Sequence, residues 1–388
     1  MRPIALAVVG MSVVGCAFMR ANPAAYEATL PRGPYRVELA VTADRYLVTE
    51  VMLGGAMRRF VVDTGSPTTV VDEQLAAALA LPRAGTTPLR DFEGRRSEHA
   101  VVRAPTLGVG AVELRDVGMV VADVRWISAL ECKPIEGILG LNALQGALEL
   151  DLPGGVLRMA SSVDELPARP GGMATRAYPP SYLPLLPPVV ATFVPQPFTI
   201  DTGSPMAITV TTSVRKRLPP TAFKPVQTVA GGFAGTAAGS KRERVFWWPK
   251  VAIGGLDLEG VLTVGDAGAT TLGLGVLRHF VVRIARSPLL MTFWPGPTTP
   301  PRRPASLGLG LYPRGEGAAV NWLVADSPAS AAGVRWGDEV LAIDGEPLAQ
   351  MAAEARCVAI RDLRLRPRVR LTLARSGEVE VVARPLFP

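Results

Sequence analysis

The 388 residues include only two histidines and three cysteines. His99 and His279 stand far from any serine or cysteine in a nucleophile motif, which argues against a Ser–His or Cys–His hydrolase. No spaced His/Cys cluster offers a zinc site, and no Gly-rich phosphate loop follows a strand in the required way. The expectation is therefore no metal and no cofactor. Aromatic residues are 6% of the chain, and none interleave with the basic runs, so nucleic acid is not an expected partner. Long apolar runs are also missing. The run from Ile4 to Val14, after Met1-Arg2, is too short and ends too abruptly for a membrane span, and it reads as a secretory signal.

Turn formers and apolar residues are plentiful: 39 Gly, 36 Pro and a hydrophobic content of 48%. That combination excludes disorder and suits a β-rich protein with many turns and two or three domains. The net charge of +7 is uneven, with 12 basic against 5 acidic residues over 173–297. This excess, partly in Lys241-Arg242-Glu243-Arg244, reads as a solvated face. The alternative is a surface attracting acidic peptides or lipid headgroups.

One stretch occurs twice. Phe60-Val61-Val62-Asp63-Thr64-Gly65-Ser66-Pro67 is echoed by Phe198-Thr199-Ile200-Asp201-Thr202-Gly203-Ser204-Pro205. Each begins as an apolar β-branched strand and breaks at a Gly-Ser-Pro turn. That leaves an aspartate where an apolar strand ends, which is costly unless the carboxylate is satisfied or used. A second marker keeps step: Ile138-Leu139-Gly140-Leu141 and Thr271-Leu272-Gly273-Leu274. The aspartates lie 138 residues apart and Gly140 and Gly273 lie 133 apart, so two copies of one domain-sized unit are expected.

This pairing resembles the pepsin and retropepsin superfamily of aspartic proteases, over roughly residues 35–296. The resemblance implies a mainly β fold of two retropepsin-like β-barrel lobes in tandem, each with an apolar-apolar-Gly loop crossing beside its aspartate. It implies that Asp63 and Asp201 form the catalytic pair. Thr64 and Thr202 would hydrogen-bond across the lobe interface, Gly65 and Gly203 would let backbone approach the carboxylates, and Ser66 and Ser204 would hydrogen-bond their outer oxygens. Gly140 and Gly273 would belong to the crossing loops. The flaps would lie at Phe92, Glu93 and Gly94, where no tyrosine stands, and at the Gly-rich tip Gly231, Gly232 and Phe233. The chemistry needs two carboxylates because water must lose a proton while the carbonyl oxygen gains one. Two carboxyls about 3 Å apart share a single proton, which supplies base and acid together.

The last segment follows another plan. Ser306-Leu307-Gly308-Leu309, Asp326-Ser327-Pro328-Ala329, Ala332-Gly333-Val334, Gly337-Asp338-Glu339-Val340 and Ile343-Asp344-Gly345 are similar to the signature order of bacterial PDZ domains (α+β). The resemblance implies that the Leu307, Gly308 and Leu309 amides bind the C-terminal carboxylate of a peptide. At the other end, Val13-Val14-Gly15-Cys16 resembles the bacterial lipobox. That implies a diacylated Cys16, a membrane anchor, and, with alanine at 17, a periplasmic outer-membrane lipoprotein.

The expected order is a signal at 1–15, a lipidated tether at 16–34, a first lobe at 35–160 and a linker at 161–173. A second lobe at 174–296, a Pro-rich linker at 297–305 and a PDZ domain at 306–388 follow. Asp72 to Leu81 is expected to form one short helix. Cys132 and Cys357 could pair in an oxidising compartment, but two buried, inert thiols are the favoured expectation. The functional expectation is an aspartic endopeptidase acting on peptides or proteins, with the PDZ domain capturing or regulating substrate. The alternatives are a catalytically silent envelope peptide-binding protein, and lobes that pair with another chain.

Overall fold

Alternating and continuous apolar runs of β-branched residues dominate this chain, and in the computed structural model they form a mainly β protein. The structure describes residues 28–29, 34–43, 45–90, 96–176, 185–186, 198–217, 227–231, 243–253, 256–267, 269–286, 289–298 and 305–386. Cys16, the signal at 1–15, Phe92, Glu93, Gly94, Gly232 and Phe233 lie outside the described residues.

In the first repeat a six-strand barrel closes on itself. Its order is Leu47–Leu53, Ala56–Val62, Gly137–Leu139, Thr69–Asp72, Val112–Ala122 and Arg96–Val109, returning to the first strand through Met52 opposite Gly108. Closure brings backbone onto side chain at that point, since a Cβ on Gly108 would sit 2.8 Å from the Met52 Cβ. The interior is filled by Leu47, Phe60, Val62, Leu107, Leu114 and Met119, all essentially buried. The expected short helix is Glu73–Ala78, capped by Asp72 through a 2.9 Å bond from the Gln74 amide.

The second repeat reproduces the strand order: Phe198–Asp201, Thr271–Gly273, Ile208–Thr211, Leu256–Ala267, Glu243–Ile253 and Gln227–Gly231. Beneath both repeats a six-stranded sheet joins three strands of the first, Arg36–Ala40, Val156–Ala160 and Ala147–Asp151, to three of the second, Phe280–Arg286, Leu289–Pro295 and Met173–Arg176. One apolar core runs through both repeats, from Leu47 and Phe60 to Phe280 and Phe293. The C-terminal segment has its own core, including Leu309, Val320, Val340, Ile360 and Leu371, among its strands and the helix Ala353–Asp362.

Three features correct the sequence reading. Cys132 and Cys357 are joined as a disulfide with Cα atoms 5.4 Å apart, so they are not two inert thiols. The helix Arg125–Glu131 was not expected. It has no counterpart among the described residues of the second repeat, and it carries Cys132 at its end against the C-terminal helix that bears Cys357. The start of the expected second flap is also not a free tip. Val229, Ala230 and Gly231 pair with Val324, Leu323 and Trp322, which continues the sheet of the second repeat into the C-terminal segment.

The disulfide clamps that segment to the first repeat, across a separation of 225 residues. Digestion without reductant is expected to yield a 132–357 cross-linked peptide. Cys357→Ser should lower stability by about 2–5 kcal/mol, read from denaturant unfolding. Free alkylation of both thiols without reductant would overturn this.

Candidate active site

Asp63 follows the strand Ala56–Val62 directly, and Asp201 ends the strand Phe198–Asp201. Both side chains are buried, at 1% and 0% exposure. Apolar strand residues on either side, Phe60, Val62, Phe198 and Ile200, drive these chain ends inward. The two carboxyls approach each other where the repeats meet, and each influences the protonation of the other. The Asp63 carboxyl lies over Gly203, where any Cβ would overlap it.

The threonines build a reciprocal clasp. Thr64 Oγ1 donates to the Ile200 carbonyl at 2.7 Å and accepts from the Thr202 amide at 3.2 Å. Thr202 Oγ1 donates to the Val62 carbonyl at 2.7 Å and accepts from the Thr64 amide at 3.0 Å. Each hydroxyl thus both donates and accepts, and the four bonds fix one Asp loop against the other.

The crossing strands complete each loop. Val62 pairs in parallel with Leu139, and Asp201 with Gly273. The Asp63 amide donates to the Leu139 carbonyl at 3.0 Å. A side chain at Gly140 would collide with the backbone of Thr68 and Thr69, and one at Gly273 with the carbonyls of Ser204 and Met206. In the first repeat Asn142 ties the crossing loop down. Its Oδ1 accepts from the Thr69 amide at 2.7 Å and its Nδ2 donates to the Gly118 carbonyl at 2.9 Å.

Local hydrogen bonding separates the aspartates. Asp63 Oδ1 accepts from the Gly65 amide at 2.7 Å. Neither oxygen of Asp201 has an aligned donor among the described residues. A buried carboxylate without donors is strongly disfavoured, which favours the protonated form of Asp201. The pKa values follow the same logic. Burial lifts Asp63 to about 6, against opposing hydrogen bonds led by the Gly65 amide. Burial, then the negative charge of Asp63, holds Asp201 well above the usual carboxylate range.

One expected contact is replaced. The Ser66 hydroxyl does not reach Asp63; it donates to the Thr68 carbonyl at 2.7 Å. The turn at Pro67 brings that carbonyl within reach, and a local acceptor two residues on wins. The Ser66 and Ser204 amides, rather than Ser66 Oγ, lie near the carboxyls. In the C-terminal segment, Leu307 and Leu309 are buried and Gly308 adopts a φ of +77°. The Gly308 amide already donates to Ser306 Oγ at 3.0 Å, so it differs from the open carboxylate donor expected of it. Sequence reasoning missed Tyr46. This buried residue stands edge-on to Trp126, and burial pushes its hydroxyl up to about 12, with small additions from Glu131, Asp201 and Asp63. An isolated tyrosine opening a strand carries no local signal of that placement.

No curated protein matches the chain. The aspartyl protease family, of retropepsin-like type, matches residues 49–143, the stretch that holds Asp63, Gly140 and the closed barrel.

Proposed function

We propose that the chain is an aspartic endopeptidase whose dyad is Asp63 and Asp201, one from each of two tandem retropepsin-like lobes. The observation that carries this reading is the pair of buried carboxyls held by the reciprocal Thr64–Thr202 clasp. The lobes supply both aspartates from one chain, so no second copy is needed. The C-terminal segment is read as a PDZ domain, and the N-terminus as a signal followed by a lipid-bearing Cys16 that anchors the protein at the outer membrane.

The hydrogen-bonding asymmetry supports a division of roles. Asp63, with a donor on Oδ1, is the ionised partner and Asp201 carries the proton. Water attacks the peptide carbonyl carbon and its proton passes to Asp63, while Asp201 gives its proton to the carbonyl oxygen. The gem-diol then returns a hydroxyl proton to Asp201, and Asp63 protonates the leaving nitrogen as the C–N bond breaks. Both carboxyls end in their starting states.

The test is cleavage of a diverse peptide mixture by the 17–388 protein across acid to neutral pH, read by mass spectrometry. Defined cuts that vanish in both Asp63→Asn and Asp201→Asn are expected. If the wild type makes no cut at any pH, the silent peptide-binding reading replaces this one. Gly203→Ala gives a second expectation. Its methyl must displace the Asp63 carboxyl, and misplacement on the ångström scale should cost about 100-fold in kcat. Gly203→Ala activity within about threefold of wild type would show that the loop shifts without disturbing the pair.

A further inference from the structure

The Thr64–Thr202 clasp fixes the two Asp loops at their inner ends, but their outer turns are held in different ways. In the first repeat the turn after Asp63 is pinned by polar side chains. Asn142 Oδ1 accepts from the Thr69 amide at 2.7 Å and from its hydroxyl at 2.8 Å, and Thr69 Oγ1 accepts from the Gly140 amide at 3.2 Å. Thr68 and Thr69 are buried. The repeat offsets put Met206, Ala207 and Gly275 in the places of Thr68, Thr69 and Asn142, and none of the three has a side-chain donor. A Cβ on Gly275 would come within 2.7 Å of the Ala207 backbone, so an asparagine cannot stand there. Backbone bonds serve both turns alike. The Leu141 amide donates to the Ser66 carbonyl at 2.9 Å, and the Leu274 amide to the Ser204 carbonyl at 2.8 Å. The side-chain anchors are the difference, and Pro205, Met206 and Ala207 are only half-buried.

The C-terminal segment backs that turn. Met206 packs on a small apolar cluster made of Val245, Trp247 and Val264 from the second repeat and Val324 from the C-terminal segment. Trp322 of the C-terminal segment packs on the same cluster, and it shares one cavity wall with Pro205, Met206 and Ala207. Trp322 is itself firmly placed. Its strand pairs it with Gly310 on one side and with Gly231 on the other. Gly310 leaves the space that the indole fills, since a Cβ there would fall on the indole nitrogen. An indole held in this way is a rigid apolar backing, and the unbranched Met206 side chain can adapt to it. The Cys132–Cys357 disulfide fastens the same segment to the first repeat. The segment behind the Asp201 loop is therefore tied to the repeat that carries Asp63.

We propose that Trp322 is a positioning residue: with Met206 it holds the Asp201 loop in register with Asp63, doing for the second repeat what Asn142 does for the first. The inference rests on the peptidase reading and gives the C-terminal segment a part in assembling the catalytic pair. Without that backing the turn at 205–207 is free to shift, and a reacting group misplaced on the ångström scale costs on the order of 100-fold in rate. Trp322 acts on the loop, so the loss falls on kcat and not on KM.

The test compares the full-chain wild type with Trp322→Ala, Trp322→Phe and Gly310→Ala. Two readouts are taken at low temperature: steady-state hydrolysis of a peptide that the wild type cuts, and amide deuterium exchange read by mass spectrometry. Trp322→Ala is expected to lower kcat by about 10–100-fold with KM within about twofold of wild type. Trp322→Phe keeps an aromatic backing and should recover kcat to within about threefold. Amides of residues 198–208 should exchange faster in Trp322→Ala, while those of 60–70 keep the wild-type rate. Gly310→Ala drives the indole aside without deleting it and should change both readouts in the same direction, so the comparison stands even if Trp322→Ala does not fold. A kcat within about twofold of wild type in these variants, or exchange that quickens equally in both loops, would make Trp322 an ordinary packing residue and overturn the inference. A wild type that cuts no peptide sinks the peptidase reading instead. Faster exchange confined to 198–208 would then still keep Trp322 as the brace of that loop.

Discussion

Asp201→Asn is expected to lower kcat by about 10⁴-fold, and Asp63→Asn by a similar factor. The double variant should be no worse than either single one, because the two carboxyls act as a unit sharing one proton. Asparagine can neither accept the water proton nor deliver one to the carbonyl oxygen. The wild-type pH profile follows from the dyad. Activity requires one proton on the pair, so its acid limb should fall near 6, where Asp63 takes up a proton. An acid limb near 4 would mean that the burial seen here does not govern the working enzyme.

Stability is expected to move the opposite way to activity. A carboxyl whose folded pKa is raised binds its proton more tightly in the native state than in the unfolded one. Its stabilising contribution is complete below the unfolded value near 4 and is lost as pH rises through the folded value. For Asp63 the window runs from the model-peptide value of 3.8 to about 6. The loss across it is on the order of 3 kcal/mol. Asp63→Asn should therefore raise the melting temperature at pH 7, with the gain shrinking toward pH 4. A variant that melts lower than wild type at pH 7 would contradict this sign. Inactive yet stabilised is the signature that separates a strained functional pair from a structural one.

The parts of this arrangement that were legible in the sequence are local or repeated. The Phe-x-x-Asp-Thr-Gly-Ser-Pro frame showed both buried strand ends, the spaced Gly140 and Gly273 markers showed a repeated unit, and the family resemblance implied that their loops cross beside the aspartates. The short helix expected from Asp72 to Leu81 followed from its Ala/Leu-rich residues, and it forms at Glu73–Ala78 with Asp72 as its cap. What stayed hidden depends on partners far apart in the chain. Cys132 and Cys357 sit in different folding units, and nothing near either residue reports that their Cα atoms approach to 5.4 Å. Arg125–Glu131 occurs in one repeat alone, so the internal comparison passed over it. The Ser66 hydroxyl was misjudged because a turn two residues long decides its acceptor.

Glu149 is the hidden residue with the largest expected effect on stability. It lies in the strand Ala147–Asp151 at the centre of the sheet shared by the two repeats, and it is 0% exposed. Its Oε1 accepts from Arg158 at 3.1 Å and from Arg169 at 3.3 Å, and its Oε2 accepts from Arg283 Nε at 3.0 Å. Asp151 adds a 2.6 Å bond to Arg169, and Arg158 reaches Glu38 on the next strand at 3.0 Å. Three guanidinium groups thus converge on one buried carboxylate, and Arg283 is itself nearly buried, stacked 5.1 Å over Trp294. Removing the anion leaves desolvated cations without their partner, a loss that outweighs any gain from deleting a buried charge. Glu149→Ala is expected to lower unfolding stability by about 3–5 kcal/mol, measured in denaturant. Glu149→Gln should lose less, because its amide oxygen still accepts. Since this sheet carries strands of both repeats, Glu149→Ala should also lose peptidase activity at a lower temperature than wild type, while kcat at low temperature stays near normal. A destabilisation below about 1 kcal/mol, the level of a surface pair, would show that the arginines swing out to water and that the network does not hold the repeats in register.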